Sequence, residues 1–430
     1  MTVNSFYKCD YCGCCLRFRY QVGVFTIPVS VYCPKCNCHI VGQIDPGNSP
    51  STIKESIIGA TKIDSDDYEY MMELSTEFIV DKCQKKEDVS IYRPSMFLRS
   101  NPFDEERNDR RINLLGLVEE SEYYINAIEN IYNLLEKNEI GLIRKYFLGT
   151  NNGFLNAMRK ETDYTKVINK LDALLAVKHF INNLLMPAMP EGVFKQIYVI
   201  MNTKVRRILK NYNKEVIDYL NSLSNDYFET YLFRIPKFFT DYIRCIKQLI
   251  PVYDNYSSFD SLDFNTSGIS TFSVDEMTVI YKKGYELLCD SIDLVVGLYN
   301  IETYGAYNDF GNGSVDFSKK LNGYNSKFTK YQDVTNNQSD LFDGIRNKLN
   351  SIIRNAEGHN SIRIDGLNQE ITFINNHKGH TNTLKLSFLK FGKACIDLFV
   401  AVLLVWEYFY NAVRFKAVFA DGLKLNYGKK

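Results

Sequence analysis

Ser351-Ile-Ile-Arg-Asn-Ala-Glu-Gly-His-Asn360 is the stretch on which the reading of the chain turns. Upstream, Leu341, Ile345, Leu349, Ile352 and Ala356 recur at three- and four-residue steps, the spacing of a buried helical stripe, and Ser339 or Asp340 is placed to cap its start. The pattern predicts a helix whose last turn carries Arg354 and Asn355. Gly358 follows, and a glycine just past a helix end commonly takes the left-handed conformation that reverses the chain. On one continuous helix, five residues amount to about 140° of rotation, so Arg354 and His359 would diverge. A turn at Gly358 lets both face one spot.

The string Arg-Asn-x-x-x-His at a helix end resembles the signature of the HEPN superfamily, helical-bundle proteins that include many metal-independent endoribonucleases of microbial defence and toxin systems. Here it reads Arg354, Asn355, His359. The resemblance continues past the motif. Ile362-Arg-Ile-Asp365 and Glu370-Ile-Thr-Phe-Ile374 alternate around Gly366-Leu-Asn, like a short hairpin that some members carry, and a long apolar helix follows. The similarity covers only the C-terminal part of the chain, from about residue 270. It implies a catalytic set of Arg354, Asn355 and His359, RNA as substrate, no catalytic metal, and assembly as a homodimer. One departure stands in the motif: Gly358 precedes the histidine where family members often carry an apolar residue.

The residue types suit that chemistry. Cleaving RNA without a metal requires a proton to leave the 2′-hydroxyl, the charged phosphorane to be stabilised, and the leaving 5′-oxygen to be protonated. Histidine, with an unperturbed pKa of about 6.5, serves either proton step near neutrality. Arginine keeps its charge and offers a planar donor fork to the non-bridging oxygens. Asn355 is placed to orient His359 or the phosphate, with Glu357 as a lesser partner. A single histidine does not easily act as base and acid in one step, and a two-fold dimer would bring two sets together.

At 430 residues with no formal net charge, the chain exceeds one typical domain and has no polyelectrolyte signature, so any RNA contact must be local. The 30 tyrosines and 28 phenylalanines exclude a disordered tail protein. No basic-then-apolar leader opens the sequence. The most apolar run, Leu398 to Trp406, is far shorter than the roughly 18 residues that suggest a membrane span. The expectation is a cytoplasmic protein. Of 11 cysteines, seven fall within the first 38 residues in metal-type spacing, whereas Cys83, Cys245, Cys289 and Cys395 are scattered and read as buried thiols.

Cys9-Asp-Tyr-Cys12 and Cys33-Pro-Lys-Cys36 are two C-x-x-C knuckles with strand-like Leu16–Tyr20 and Val22–Val31 between them. This resembles a zinc ribbon. Each knuckle presents two thiolates from a tight turn, and two such turns close a tetrahedron around Zn²⁺, leaving a closed, structural site with no open position for catalysis. Cys14, Cys15, Cys38 and His39 are surplus, either unused beside that site, alternative ligands or part of a second site.

Asp45-Pro-Gly-Asn-Ser-Pro50 marks a first boundary, and beyond it helix-length patterns are expected to about residue 252, including Ile112–Leu135, Val167–Leu185 and Val193–Leu220. In the last of these, Lys204, Arg206, Arg207, Lys210 and Lys214 form a basic stretch beside Tyr212, either a solvated face or an RNA-backbone contact. His179 reads as a packed helix residue. Asp254–Thr271 reads as a loop, Ser273-Val-Asp-Glu276 as a capping box, and Gly305–Ser339 as a long loop. His377 and His380 read as an exposed loop pair. The helix from about Leu384 to Phe419 is apolar on nearly every side around Val400, which suggests burial partly against a second subunit.

The expected fold is thus mainly α: a small β zinc ribbon over 1–46, a helical middle domain over 47–260, and a HEPN-like helical domain over 261–430. The expected function is a metal-independent endoribonuclease of a toxin or antiviral defence (abortive infection) system. Its expected partners are RNA, a second copy of itself and a trigger or target protein held by the ribbon or middle domain, with no membrane. The alternative is a non-catalytic zinc-ribbon adaptor that binds nucleic acid or protein, with Arg354 and His359 as a structural pair.

Overall fold

The computed structural model describes residues 2–22, 25–47, 52–90, 92–100, 105–150, 153–190, 192–311, 313–322, 345, 348–358, 361–377 and 380–428. The chain falls into two compact units, each drawn from three segments. One comprises Met1–Glu119, Ile243–Lys282 and Asn350–Asp397; the other comprises Glu120–Tyr242, Lys283–Leu349 and Leu398–Lys430. This division cuts across the boundaries expected at residues 46 and 260.

The first unit carries most of the strand. A five-stranded mixed sheet runs in the order Ala60–Lys62, Thr2–Cys9, Cys15–Gln21, Tyr70–Leu74, Gln84–Lys85, with Cys15–Gln21 parallel to Tyr70–Leu74 and the other pairs antiparallel. A second, antiparallel sheet joins Ile27–Tyr32, His39–Asp45 and Lys54–Ile58. The two share one core that includes Leu16, Phe18, Tyr20, Val29, Ile40 and Leu74. A third sheet pairs Ile362–Asp365, Glu370–His377 and His380–Ser387, and it buries Ile371 and Phe373.

The expectation of a mainly α fold is overturned by these sheets. Among the described residues, strands run on past the expected ribbon to Lys85, recur briefly at Ser267–Gly268 and return at Ile362–Ser387. The physical reason is visible in Tyr70-Met-Met-Glu-Leu74. Met71, Met72, Glu73 and Leu74 are all buried, and a strand covered on both faces shows no two-residue alternation, so its apolar run passes for helix. The long helix also starts later than expected, at Phe388, because Leu384 and Leu386 belong to the alternation of the last strand.

The second unit is built from helices. Lys170–Leu185 is capped by Asn169, whose side chain accepts from the Asp172 N–H at 2.8 Å. The expected single helix over Val193–Leu220 is broken into Val193–Val199, a π-helical turn at Ile200–Val205, Arg206–Asn211 and Asn213–Ser222. In the helix Phe388–Phe419, the residues from Leu398 to Trp406 are at most 5% exposed. Phe399 stacks on Tyr242 at 4.2 Å between ring centres, and Trp406 meets Phe239 edge-on at 5.6 Å. The apolar girth around Val400 is therefore covered within the chain itself and leaves no apolar face for a second subunit there.

Candidate functional site

The N-terminal knuckles are two copies of one turn. The Gly13 N–H donates to the Cys9 carbonyl at 2.9 Å and the Asn37 N–H to the Cys33 carbonyl at 2.8 Å; the Cys9 and Cys33 N–H groups return to the carbonyls of Cys14 and Cys38, both at 2.9 Å. The fifth residue of each turn is left-handed, Gly13 at φ 72° and Asn37 at φ 58°. These turns bring Cys9, Cys12, Cys33 and Cys36 together, with all four sulfurs within 4.8 Å of one another. Cys9 Sγ lies 3.7 Å from Cys36 Sγ, and Cys12 Sγ lies 3.6 Å from Cys33 Sγ. Four thiolates about 2.3 Å from one tetrahedral ion stand about 3.8 Å apart, so the group is close enough to hold a metal ion. Burial pushes the Cys9 thiol up, but the backbone N–H groups of Cys12 and Tyr11 outweigh it and hold the thiol below its ordinary range. Burial raises the Cys33 thiol against the corresponding N–H groups of Cys36 and Lys35.

Cys14 lies beside Cys12 and Cys33 without being one of the four. Burial and the nearby Glu69 carboxylate push the Cys14 thiol up to about 12. His39 stacks on Tyr32 at 4.5 Å and shares a 2.9 Å hydrogen bond with Ser30 Oγ, and burial holds its imidazole below the ordinary range.

The second knuckle reaches the C-terminal sheet. Asn37 Nδ2 donates to the Ile364 carbonyl at 2.7 Å, and its Oδ1 accepts from the Gly366 N–H at 2.8 Å. That sheet in turn supports the helix bearing Arg354: the Ile374 N–H donates to the Ser361 carbonyl at 2.9 Å, and Ile353 and Ala356 are buried.

That helix is shorter than its stripe suggests, running from Ser351 to Gly358. Asn350 caps it, accepting from the Ile352 N–H at 2.9 Å; Ser339 and Asp340, the expected caps, lie outside the described residues. The expected left-handed turn at Gly358 is absent, for Gly358 ends the helix and is not among the positive-φ glycines. The closure comes from the Ser361 N–H, which bonds the Ala356 carbonyl at 2.9 Å, a six-to-one bond of the kind that ends helices. Arg354 and Asn355 are both half-buried, with Arg354 Nη1 donating to Asn355 Oδ1 at 3.1 Å. Glu357 is ion-paired with Lys282 at 2.6 Å. His359 lies outside the described residues, so the structure brings together two members of the expected set.

Of the remaining candidates, His179 is half-buried and hydrogen-bonded with Tyr427 Oη at 2.9 Å. His377 and His380 face each other in the register of one hairpin rather than sharing a free loop. Arg206, Arg207, Lys210 and Lys214 are exposed, and Arg207 pairs with Glu302. Among the described residues no helix is long and apolar enough to cross a membrane.

Sequence reasoning missed Asn37, although it occupies the place that Gly13 holds in the first knuckle, a usable sign of a left-handed position. It also missed Glu73. This carboxylate, 1% exposed, binds Arg19 at 2.5 Å, Arg93 at 2.9 Å and Arg99, and so fastens the segment after residue 92 to the first sheet. Nothing in the spacing of these four residues marks that cluster. No known protein family, curated protein or solved structure matches the chain.

Proposed function

We propose that this chain is a zinc-stabilised ribonuclease of the HEPN kind, in which Arg354, Asn355 and His359 cut RNA without a catalytic metal. The observation that carries the reading is the Arg354–Asn355 pair, half-exposed at the closing turn of a helix one residue before His359 in the sequence. In the reaction His359 takes the proton of the 2′-hydroxyl, whose oxygen attacks the adjacent phosphorus. The Arg354 guanidinium neutralises the phosphorane, and the 5′-oxygen leaves with a proton, giving a 2′,3′-cyclic phosphate. The acid comes from the histidine of a second copy, so the reading includes a homodimer, joined elsewhere than at the helix around Val400. Zinc on Cys9, Cys12, Cys33 and Cys36 is structural, and a cytoplasmic setting keeps those thiols reduced.

A second reading, a non-catalytic adaptor, is favoured by one observation: the Val400 girth, expected to form part of the required dimer contact, is buried within the chain. Incubating purified protein with RNA and no added metal separates the two. Loss of about 10²–10⁴ in rate for His359→Ala and about 10²–10³ for Arg354→Ala, at unchanged melting temperature, supports the nuclease. Equal cleavage by wild type and His359→Ala, or none by either, leaves the adaptor.

A further inference from the structure

The helical unit contains a cleft of about 430 Å³ that no role described above uses. Its floor is apolar, with Leu209, Phe415 and Phe419 among its walls, and its charged lining is Arg206, Arg414 and Lys424 with no acidic side chain. All three cations are exposed, and none is ion-paired among the described residues. Phe419 is 58% exposed, with its ring 4.7 Å from that of Phe415, so an accessible aromatic face adjoins the cations. Arg206 is the first residue after the π-helical turn Ile200–Val205, a local distortion that recurs at functional sites. One turn on stands Lys210, with Lys214 beyond it, both exposed.

We infer that this cleft binds single-stranded RNA, seating one base against Phe419 and the flanking phosphates on Arg206, Arg414 and Lys424. A planar, apolar group with adjoining negative charge is what the lining complements, and the volume lies in the range of small-ligand pockets. A strand fits better than a lone anion because the positive charge does not stop at the cleft. Arg206 and Lys210 are separated by about 6 Å of rise on one helix, so adjacent phosphates find adjacent cations. Stacking on an aromatic ring tolerates any base, which makes the site a strand holder rather than a sequence reader. The inference is independent of cleavage and holds for either reading of Arg354 and His359.

The test is fluorescence anisotropy of a labelled ten-nucleotide oligouridine with the full chain, in the wild type and in a His359→Ala background that keeps the probe intact. Phe419→Ala is expected to weaken binding about tenfold. Arg206→Gln and Arg414→Gln should each weaken it and flatten the slope of log affinity against log salt by about 0.7. Lys237→Gln, elsewhere in the unit, should leave it unchanged. Wild-type affinity in both Phe419→Ala and the double arginine variant overturns the inference. So does competition by free uridine monophosphate at equal nucleotide concentration, or equal binding of polyglutamate. A chain that binds RNA here yet cuts none sinks only the nuclease reading. One that cuts RNA through His359 while the cleft variants bind at full strength sinks only this one.

Discussion

Asn37 and Gly366 meet so closely that the glycine has no room for a side chain. A Cβ on Gly366 would stand 2.1 Å from Tyr32 Cβ and 2.7 Å from Asn37 Oδ1, the atom that accepts the Gly366 N–H. The amide of Asn37 thus stands in for a strand neighbour, satisfying one donor and one acceptor of the hairpin turn while its own backbone holds a left-handed conformation. Gly366→Ala should therefore cost about 1–3 kcal/mol or more, the range of overpacked sites. Asn37→Gly keeps the backbone and loses two hydrogen bonds, about 1–2 kcal/mol in total, and Asn37→Ala should cost more because alanine resists positive φ. Urea unfolding of the three variants checks the order.

The same contact makes metal removal a wider event than the loss of a small ribbon. With zinc held at Cys9, Cys12, Cys33 and Cys36 as proposed, stripping the ion should free the second knuckle, and with it the Asn37 bonds to Ile364 and Gly366. Metal analysis should give about one zinc per chain. After chelation, hydrogen exchange should rise in Ile362–Ser387 as well as in Thr2–Tyr32. Exchange confined to the N-terminal strands would show that the latch carries no load.

Much of this was legible in the chain and some was not, for physical reasons. The thiol cluster was legible because metal geometry imposes a fixed spacing on short turns. The hairpin after residue 361 was legible because Ile362, Ile364, Ile371 and Phe373 alternate on a sheet with one open face. Tyr70–Leu74 was not, since a doubly covered strand has no period, and neither was the pairing of Asn37 with Gly366, which joins residues more than three hundred positions apart. The apolar girth around Val400 was read correctly as buried, but sequence alone could not say that the chain covers all of it.

Acid should weaken the first unit through Glu55. Burial pushes its carboxyl up, but Lys62 and the hydroxyls of Ser5, Tyr20 and Tyr7 outweigh it and hold the group below the ordinary carboxylate range. With the folded value depressed, its contribution is full above the unfolded value of about 4.3 and is lost as pH falls through the folded one. Glu55→Gln should lower the melting temperature at pH 7 and show a shallower fall between pH 5 and about 3. A variant whose acid unfolding runs parallel to wild type would remove Glu55 from this role.

The helix around Val400 gives the sharpest test of how the second unit is held together. Trp406 is fully buried, its ring against Phe239 and Tyr410, and Val400 is 5% exposed. If the chain alone covers them, Trp406→Ala should cost about 3–5 kcal/mol and Val400→Ala about 1–3 kcal/mol, each by opening a cavity in an existing core. Such losses are unimolecular, so the fall in melting temperature should be the same at every protein concentration. An interface behaves otherwise, because stability gained from a partner rises with concentration, and a variant that loosens it widens the gap between dilute and concentrated samples. Melting Val400→Ala across a hundredfold range, with light scattering at each point, separates the two. Parallel curves and an unchanged molar mass are expected; a mass that falls on dilution only in the variant would return this helix to a subunit boundary.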